Sequence, residues 1–203
     1  MSLDHYFSQE PTSKFEPKQI EIQLGGQSLT VDTASGTFSP GRLDSGTEIL
    51  INHVELAPKE GAILDLGCGW GPITLALALN SPRATIFGVD INPRSLALTK
   101  LNSESLALTN VQTATPEQIH ETLEFSGIWS NPPIRIGKKE LHDLLLKWLP
   151  RLTIGGEAYL VVQKNLGSDS LQRWLTATLP INFEVSRLTS ERTYRIIKVR
   201  KTS

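Results

Sequence analysis

The first regular pattern along the chain is an alternation of apolar and polar residues on both sides of a double glycine. Residues 20–24 and 28–31 alternate with a period of two, and Gly25-Gly26 lies between them. A period of two places the apolar side chains on one face of a strand, and glycine readily adopts the positive φ angles of a tight turn. The pattern therefore predicts a β-hairpin near the N-terminus.

From residue 62 onward, short apolar segments alternate with longer segments that have the period of an α-helix. Strands that alternate with helices are typical of βαβ units, which build a parallel sheet with helices on its faces. We therefore predict the α/β class. The predicted strands are residues 62–66, 85–89, 111–114, 127–130 and 158–163, and the predicted helices are residues 72–79, 93–106, 116–123, 139–149 and 168–179.

The chain ends in two further apolar, alternating segments, residues 183–188 and 193–200. The connection between them is too short for a crossover helix, and parallel neighbours require such a crossover. These two strands are therefore predicted to pair antiparallel.

Length and composition indicate one globular domain. The chain has 203 residues, of which 39% are hydrophobic and 20% charged, which is enough for one sizeable core. We expect residues 1–45 to form an extension that includes the hairpin, and residues 46–203 to form the core. The start of the chain lacks a signal-peptide pattern, and no apolar run approaches the roughly 20 residues of a membrane span. We therefore expect a cytoplasmic protein without a membrane partner.

The formal net charge is −1, with a pI near 6.4. Such a balance argues against a surface that binds nucleic acid indiscriminately. Basic residues nevertheless cluster in the tail, residues 187–201, and in the group Arg135, Lys138 and Lys139. The tail is equally well explained as the solvated face of a strand, so the second group is the better candidate for a local basic site.

A glycine-rich loop follows the strand predicted at residues 62–66. It reads Asp65-Leu66-Gly67-Cys68-Gly69-Trp70-Gly71 and precedes a helix that begins at Pro72. Glycines here allow a nucleotide-like ligand to approach the backbone at the carboxyl edge of the sheet. Asp90 ends the next strand, where a carboxylate can accept both hydroxyl groups of a ribose. The loop and Asp90 together predict a nucleoside site.

The acidic start of the loop favours one cofactor. Asp65 would repel a pyrophosphate and attract a cationic amino-acid group, and both features suit S-adenosylmethionine. A tight turn without a ligand and a nicotinamide dinucleotide remain as alternatives. Cys68 within the loop is predicted to pack beneath it rather than to act as a nucleophile, because no histidine is near in sequence to activate it.

The strand predicted at residues 127–130 leads into Asn131-Pro132-Pro133. An exocyclic amine on an aromatic ring is a poor nucleophile, so it must be turned and polarised before it attacks a methyl group in line. The amide oxygen of Asn131 and the carbonyl oxygen of Pro132 can accept the two amino hydrogens, and the two prolines stiffen the turn. These three residues are the predicted catalytic motif. A rigid loop that merely ends the strand is the alternative.

Together, the glycine loop, Asp90 and the Asn-Pro-Pro motif resemble class I methyltransferases that modify amino nitrogens. The whole chain is similar to the RsmC-type family, whose best-known members methylate the 2-amino group of a guanine in small-subunit ribosomal RNA. The resemblance implies a Rossmann-like fold with a seven-stranded, mostly parallel sheet and an antiparallel last strand. The similar segments are Asp4-His5-Tyr6-Phe7-Ser8, Phe38-Ser39, Leu43-Asp44-Ser45-Gly46-Thr47, residues 131–138 and residues 162–167.

The resemblance extends the predicted site. It implies that residues before the first strand of the parallel sheet help to wall the cofactor pocket, and that Asn131 and Pro132 hold the target amine. The full set of predicted cofactor contacts is Phe38, Asp44, Gly46, Thr47, Asp65, Gly67, Cys68, Gly69, Gly71, Asp90, Ile91, Thr115 and Asn131.

The chain departs from the family pattern at two positions. Thr115 stands where many relatives have Asp or Asn facing the adenine amino group. Ile134 stands where base-modifying relatives often have an aromatic residue that stacks on a flipped base. We predict that Ile134, Arg135 and Lys138 contact the substrate, with either cation holding a phosphate or lying over the base.

The leading hypothesis is an S-adenosylmethionine-dependent methyltransferase that acts on a guanine amino group, with ribosomal RNA or the small ribosomal subunit as partner. Two hypotheses remain open beside it. One is methylation of another amine, such as a protein glutamine, a DNA adenine or a metabolite, and the other is a non-catalytic assembly factor that retains the pocket. No metal site is predicted, because the histidines at positions 5, 53, 120 and 142 lack metal-ligand spacing.

Overall fold

The computed structural model describes residues 15–203, so the predicted motif at residues 4–8 and the histidine at position 5 lie outside the described residues. The described chain begins with the hairpin, in which β1 (Lys18–Leu24) pairs antiparallel with β2 (Gln27–Thr33). Gly25 and Gly26 make the turn with φ angles of 57° and 78°. The predicted hairpin is therefore confirmed.

Within the described residues the main sheet has seven strands, which are β3 (Glu60–Leu66), β4 (Arg83–Val89), β5 (Val111–Ala114), β6 (Phe125–Ser130), β7 (Leu152–Gln163), β8 (Phe183–Glu191) and β9 (Tyr194–Lys201). Their spatial order is β5-β4-β3-β6-β7-β9-β8. Neighbours from β5 to β7 pair parallel, and β9 runs antiparallel to both β7 and β8. This confirms the predicted mostly parallel sheet with an antiparallel last strand.

Helices cover both faces of this sheet. Adjacent residues on a strand point to opposite faces, and Ile63 and Leu64 of β3 accordingly belong to two different hydrophobic clusters. The helices are α1 (Ser45–Ile51), α2 (Pro72–Asn80), α3 (Pro93–Ser105), α4 (Lys138–Trp148) and α5 (Ser168–Thr178). The first cluster joins the hairpin with α1, α2 and α3, and the second contains α4 and α5.

The order of strands creates a crevice beside β3. The chain moves outward from β3 to β4 and β5 on one side, and from β6 to β7 on the other. In open α/β sheets, ligands bind outside the carboxyl ends of the strands where the direction of winding changes. The glycine loop after β3, Asp90 after β4 and Asn131 after β6 all lie at this edge.

The predicted helix at residues 116–123 is wrong, because this segment consists of turns. The Gln118 side chain accepts a hydrogen bond from the Thr115 backbone N–H at 2.8 Å, and the His120 ring accepts one from the Thr122 N–H at 3.3 Å. Arg151 donates to the carbonyl oxygens of His120 and Leu123. Side chains thus bind backbone groups that a helix would need, and such local bonds compete with helix formation.

The segment 45–51 forms α1, a helix that the sequence patterns above did not predict. Asp44 caps its N-terminus by accepting hydrogen bonds from the backbone N–H groups of Gly46 and Thr47.

Among the described residues, no helix has both the length and the apolar character that a membrane crossing requires.

Candidate functional site

A cavity of about 400 Å³ opens at the carboxyl edge of the sheet. It contains the glycine loop, the ends of β3 and β4, the Asn-Pro-Pro turn and one face of α4. Its volume falls in the range of small-molecule and cofactor sites. The lining residues are Phe38, Thr47, Leu66, Gly67, Cys68, Gly69, Trp70, Pro72, Ile73, Val89, Asp90, Ile91, Ser95, Pro116, Asn131, Pro132, Pro133, Ile136, Glu140, Asp143, Leu144 and Lys147.

The glycine loop is held against the end of β4. The backbone N–H groups of Gly67 and Cys68 both donate to the Val89 carbonyl oxygen, at 2.8 and 3.0 Å. A Cβ atom on Gly67 would meet no protein atom within 4 Å, so this position faces open space in the cavity. Gly71 ends the loop with a φ angle of 99°, and a Cβ there would lie 3.0 Å from the Thr99 hydroxyl oxygen. The loop is thus a cradle in which a ligand can approach the backbone closely.

Asp90 presents its carboxylate to the cavity. One oxygen accepts the Gly69 backbone N–H at 2.9 Å, and the other accepts the Asn92 backbone N–H at 2.9 Å. Burial raises the pKa of Asp90 above its usual range, while these two N–H groups oppose the shift. Each oxygen keeps lone pairs, because a carboxylate offers about four acceptor sites. Asp90 is therefore well placed to accept the two hydroxyl groups of a ribose.

Asp65 lies beneath the loop rather than in the cavity lining. It is fully buried, and one of its oxygens accepts the Thr74 hydroxyl at 2.6 Å while the other has no hydrogen-bond partner. Burial raises its pKa from 3.8 to about 7 despite the bond from Thr74. Asp65, which was predicted to contact the cofactor, therefore does not border the cavity.

Cys68 is buried within the loop. Its sulfur lies 3.6 Å from the Thr99 hydroxyl oxygen on α3, and burial raises the pKa of the thiol. A protonated thiol in such surroundings is a poor nucleophile. The geometry therefore supports the prediction that Cys68 packs beneath the loop, although part of it also borders the cavity.

Asn131 follows β6 and is bound through its side-chain nitrogen. Its Nδ2 donates to Asp44 Oδ2 at 2.9 Å and to the Thr47 hydroxyl oxygen at 3.0 Å. A carboxylate can only accept, so the amide must turn its nitrogen toward Asp44 and its oxygen away. The adjacent Pro132 carbonyl accepts the Ile134 backbone N–H at 2.8 Å and keeps a second lone pair.

Phe38, Gly46 and Ile91 occupy three different positions around the site. Phe38 lies over Gly69, because a Cβ on Gly69 would be 3.9 Å from the Phe38 Cβ. Ile91 is an exposed large apolar residue at the cavity rim. Gly46 lies outside the lining and packs against Tyr194, whose ring carbon Cε1 would be 2.8 Å from a Cβ on Gly46.

The three predicted substrate contacts lie beside the first cavity. Ile134 and Lys138 border a second cavity of about 210 Å³, and neither of them lines the first. Arg135 is exposed and lines neither cavity. The lining of the second cavity is Ile134, Lys138, Leu141, His142, Val162, Leu166, Gly167, Ser170 and Leu171.

Several lining residues were missed by sequence reasoning. Pro116, rather than the predicted Thr115, borders the cavity. Glu140, Asp143, Leu144 and Lys147 line it from α4, and their spacing of three, one and three residues places them on one helix face. The sequence contained this spacing, but only the folded chain shows that this face covers a ligand site.

The basic tail is engaged in ion pairs. Arg187 pairs with Asp169 at 3.2 Å, Lys198 with Glu157 at 2.6 Å and Arg192 with Glu48 at 3.2 Å. This supports the interpretation of the tail as the solvated face of a strand.

Among the described residues, no group of three His, Cys, Asp or Glu residues converges as a metal site would require.

The mostly parallel sheet has a strand order that is typical of Rossmann-like methyltransferases, with a cavity beside β3 and an Asn-Pro-Pro turn after β6. The model of the methyltransferase small domain family matches residues 28–198. The chain belongs to this family, which confirms the prediction of a methyltransferase that uses S-adenosylmethionine.

The chain is similar to several known proteins. It is 35% identical over 201 residues to "Uncharacterized protein YbxB" of Bacillus subtilis, covering 98% of each chain. It is 34% identical over 161 residues to "Ribosomal RNA small subunit methyltransferase C" of Shewanella sediminis, covering 75% of this chain and 45% of that protein. The chain thus spans about half the length of the curated relatives with that name.

One solved structure shows the same fold over most of the chain. It is the T. thermophilus 16S rRNA N2 G1207 methyltransferase (RsmC) in complex with AdoMet and guanosine. The TM-score is 0.77 at 24% sequence identity, and the match covers 95% of this chain and 52% of the solved one. At this level of identity the likeness establishes the fold.

Proposed function

We propose that this protein transfers the methyl group of S-adenosylmethionine to the exocyclic 2-amino group of a guanine in 16S ribosomal RNA. The observation that carries the proposal is the side chain of Asn131, which borders the cofactor cavity with its nitrogen bound to Asp44 and Thr47. Its oxygen is thereby left to accept a hydrogen from an amine. The similarity to proteins named as small-subunit rRNA methyltransferases supports the same reaction.

The described residues would hold both reactants in line. Asp90 would accept the ribose hydroxyl groups of the cofactor, and the loop at Gly67 and Gly69 would admit its amino-acid part. The cofactor supplies an electrophilic methyl group on a sulfonium. Asn131 Oδ1 and the Pro132 carbonyl would accept the two amino hydrogens and turn the nitrogen lone pair toward that methyl group.

The reaction balances without a strong base. The N–CH₃ bond forms as the S–CH₃ bond breaks, so the positive charge passes from sulfur to nitrogen. The methylated nitrogen then loses one proton to water. Catalysis in this site consists mainly of positioning and of polar groups that accommodate the moving charge.

The charges around the Asn-Pro-Pro turn support an RNA substrate. Arg135 and Lys138 follow this turn, and neither has an ion-pair partner among the described residues. Lys138 also borders the second cavity, whose floor is mostly apolar. Cations beside an apolar recess suit a phosphate and the base attached to it.

The test is transfer of a labelled methyl group from S-adenosylmethionine to total RNA and to immature small ribosomal subunits, followed by nucleoside analysis. We expect N2-methylguanosine with the wild type. Asn131→Ala should lower the rate about 100-fold or more, as loss of a transition-state hydrogen-bonding group does. Asn52→Ala removes the same group from an exposed position at the end of α1 and should retain wild-type activity.

Two outcomes would contradict the proposal. Cofactor binding without labelled RNA would point to a protein glutamine, a DNA adenine or a metabolite, because an amide and a carbonyl oxygen can hold those amines equally well. Absence of cofactor binding would point instead to a non-catalytic assembly factor.

A further inference from the structure

The Asn131 amide is held by residues far away in the chain. Asp44 and Thr47 precede it by 87 and 84 residues, and both bind the same nitrogen atom. A primary amide nitrogen carries two hydrogens. The two acceptors therefore use both of them, so the amide nitrogen has no hydrogen left for a substrate.

These two acceptors are themselves fixed by α1. Asp44 Oδ2 accepts the backbone N–H groups of Gly46 at 2.9 Å and Thr47 at 3.2 Å. The Asp44 backbone carbonyl also accepts the Glu48 N–H at 2.8 Å. Because each bond belongs to the first turn of the helix, the position of the Asp44 carboxylate follows from the position of α1.

The contact is shielded on its outer side. Thr47 is 3% exposed. The Tyr194 ring packs against Gly46 so closely that a Cβ on this glycine would meet it at 2.8 Å. Burial raises the pKa of the Tyr194 hydroxyl, and the nearby carboxylate of Asp44 raises it further. Hydrogen bonds in such partly desolvated surroundings compete less with water than exposed ones.

We propose that Asp44 and Thr47 are positioning residues that set the angle of the Asn131 amide and aim its Oδ1 at the acceptor amine. This inference rests on the proposed function, in which Asn131 touches the acceptor. It gives the acidic residue before α1 a different task from the expected cofactor contact, because Asp44 does not border the cofactor cavity. Donation to a carboxylate also polarises the amide and makes its oxygen a better acceptor.

Thr47 permits a matched test. Valine has the shape of threonine without the hydroxyl group, whereas serine retains the hydroxyl. We expect Thr47→Val to lower kcat about 10-fold or more, since small errors in the alignment of reacting groups cost that much. Thr47→Ser should restore most of kcat. Because Thr47 also lines the cofactor cavity, the Kd for S-adenosylmethionine is measured for both variants and kcat is compared at saturating cofactor.

Asp44 is tested in the same manner. Asparagine also caps helices well and keeps a side-chain oxygen. We expect Asp44→Asn to retain more activity than Asp44→Ala, with kcat rather than the cofactor Kd carrying the difference. Thermal unfolding of each variant is measured alongside, so that loss of the helix cap is seen separately from loss of kcat.

A second measurement needs no methyl acceptor. The Asn131 side-chain amide gives a pair of signals in ¹⁵N-edited NMR spectra, assigned by their absence in Asn131→Asp. We expect Thr47→Val to shift one of the two protons to higher field and to speed its exchange with water, while Thr47→Ser restores both properties.

The outcomes separate the two proposals. Unchanged Asn131 amide signals in Thr47→Val would overturn the inference whatever the substrate is. The inference would also fail if Thr47→Ser lost as much kcat as Thr47→Val, or if both changed only the cofactor Kd. Shifted amide signals in a wild-type protein that leaves RNA unmethylated would instead refute the proposed substrate and leave the amide contact established.

Discussion

Asp65 and Asp90 end neighbouring strands, yet their carboxyl groups meet different surroundings. Asp90 accepts two backbone N–H groups at the cavity surface, whereas the hydrogen bonds to Asp65 come from Thr74 alone and leave one carboxyl oxygen without a partner. A buried carboxylate with few donors loses more solvation energy than its hydrogen bonds return. The protonation state of the Asp65 carboxyl group therefore changes with pH within the physiological range, since its pKa is about 7.

This pKa predicts an unusual dependence of stability on pH. The folded protein holds a proton on Asp65 from pH 3.8 to about 7, where the unfolded chain has lost it. The contribution of Asp65 to the free energy of unfolding therefore falls as pH rises through this window and stays constant above it. The asparagine in Asp65→Asn does not titrate. The free energy of unfolding of this variant, relative to that of the wild type, should therefore increase from pH 5 to pH 8.

Chemical denaturation of both proteins at pH 5, 6, 7 and 8, without cofactor, measures this difference. Replacing one carboxyl oxygen by an NH₂ group has its own cost in the free energy of unfolding. This cost does not depend on pH, so it cancels when the four pH values are compared. A constant difference across the four pH values would show that Asp65 is ionised throughout.

At the residue scale, the cavity residues that follow the strands could be predicted from the sequence, whereas the residues that bind them could not. Gly67, Asp90 and Asn131 were predicted and border the cavity, because motifs that follow parallel strands necessarily meet at the carboxyl edge. The bond between Asn131 and Asp44 joins segments 87 residues apart. No local pattern encodes such a distance, so the contact required the folded chain.

At the scale of elements, α4 forms a wall of the cofactor cavity. Leu144 lies on the cavity side of this helix and also packs against the second hydrophobic cluster. Leu146, two positions later, is 38% exposed and points elsewhere. The two leucines therefore offer the same side chain on the same helix in two environments.

We predict that Leu144→Ala raises the Kd for S-adenosylmethionine about 10-fold, which corresponds to loss of part of a buried leucine contact with the ligand. Leu146→Ala should leave the Kd unchanged. Calorimetric titration of both variants gives the comparison, and their melting temperatures show how much Leu144 contributes to the fold. Equal Kd values for the two variants would show that the Leu144 side chain does not contact the cofactor.

The errors in element prediction have local physical causes. Residues 116–123 begin with proline and carry Ile119 and Leu123 at helical spacing, which is typical of a short helix. Side chains of Gln118 and Arg151 nevertheless bind backbone groups of this segment.

The opposite error concerns α1, a helix that was not predicted although its capping residue Asp44 is a recognisable start signal. Its seven residues are too few for the helical period to stand out.

At the scale of the whole molecule, the distribution of paired and unpaired charges matters more than the net charge of −1. Basic residues of the C-terminal strands meet acidic residues of the same chain, as Lys198 does with Glu157. Arg135 and Lys138 are exposed, follow the Asn-Pro-Pro turn directly and have no ion-pair partner among the described residues. A polyanion that reaches the Asn-Pro-Pro turn should therefore be attracted to these two cations.

This local attraction predicts a shallow dependence of RNA binding on salt. Each phosphate contact of a single strand adds about 0.7 to the slope of log K against log salt, so two contacts give a slope of about −1.4. Lys138→Gln should reduce that slope by about 0.7. Lys198→Gln removes the same charge from an existing ion pair and should leave the slope nearly unchanged.

Fluorescence anisotropy of a labelled single-stranded RNA from the small subunit, titrated between about 50 and 200 mM salt, measures the three slopes. A much steeper slope for the wild type would mean that additional cations, such as those of the C-terminal strands, leave their carboxylate partners for phosphates. Equal losses in Lys138→Gln and Lys198→Gln would place the RNA across the antiparallel edge of the sheet. With the expected result, the cations that follow Pro133 hold the RNA beside Asn131, so that docking of the strand and alignment of the amine depend on one short segment of the chain.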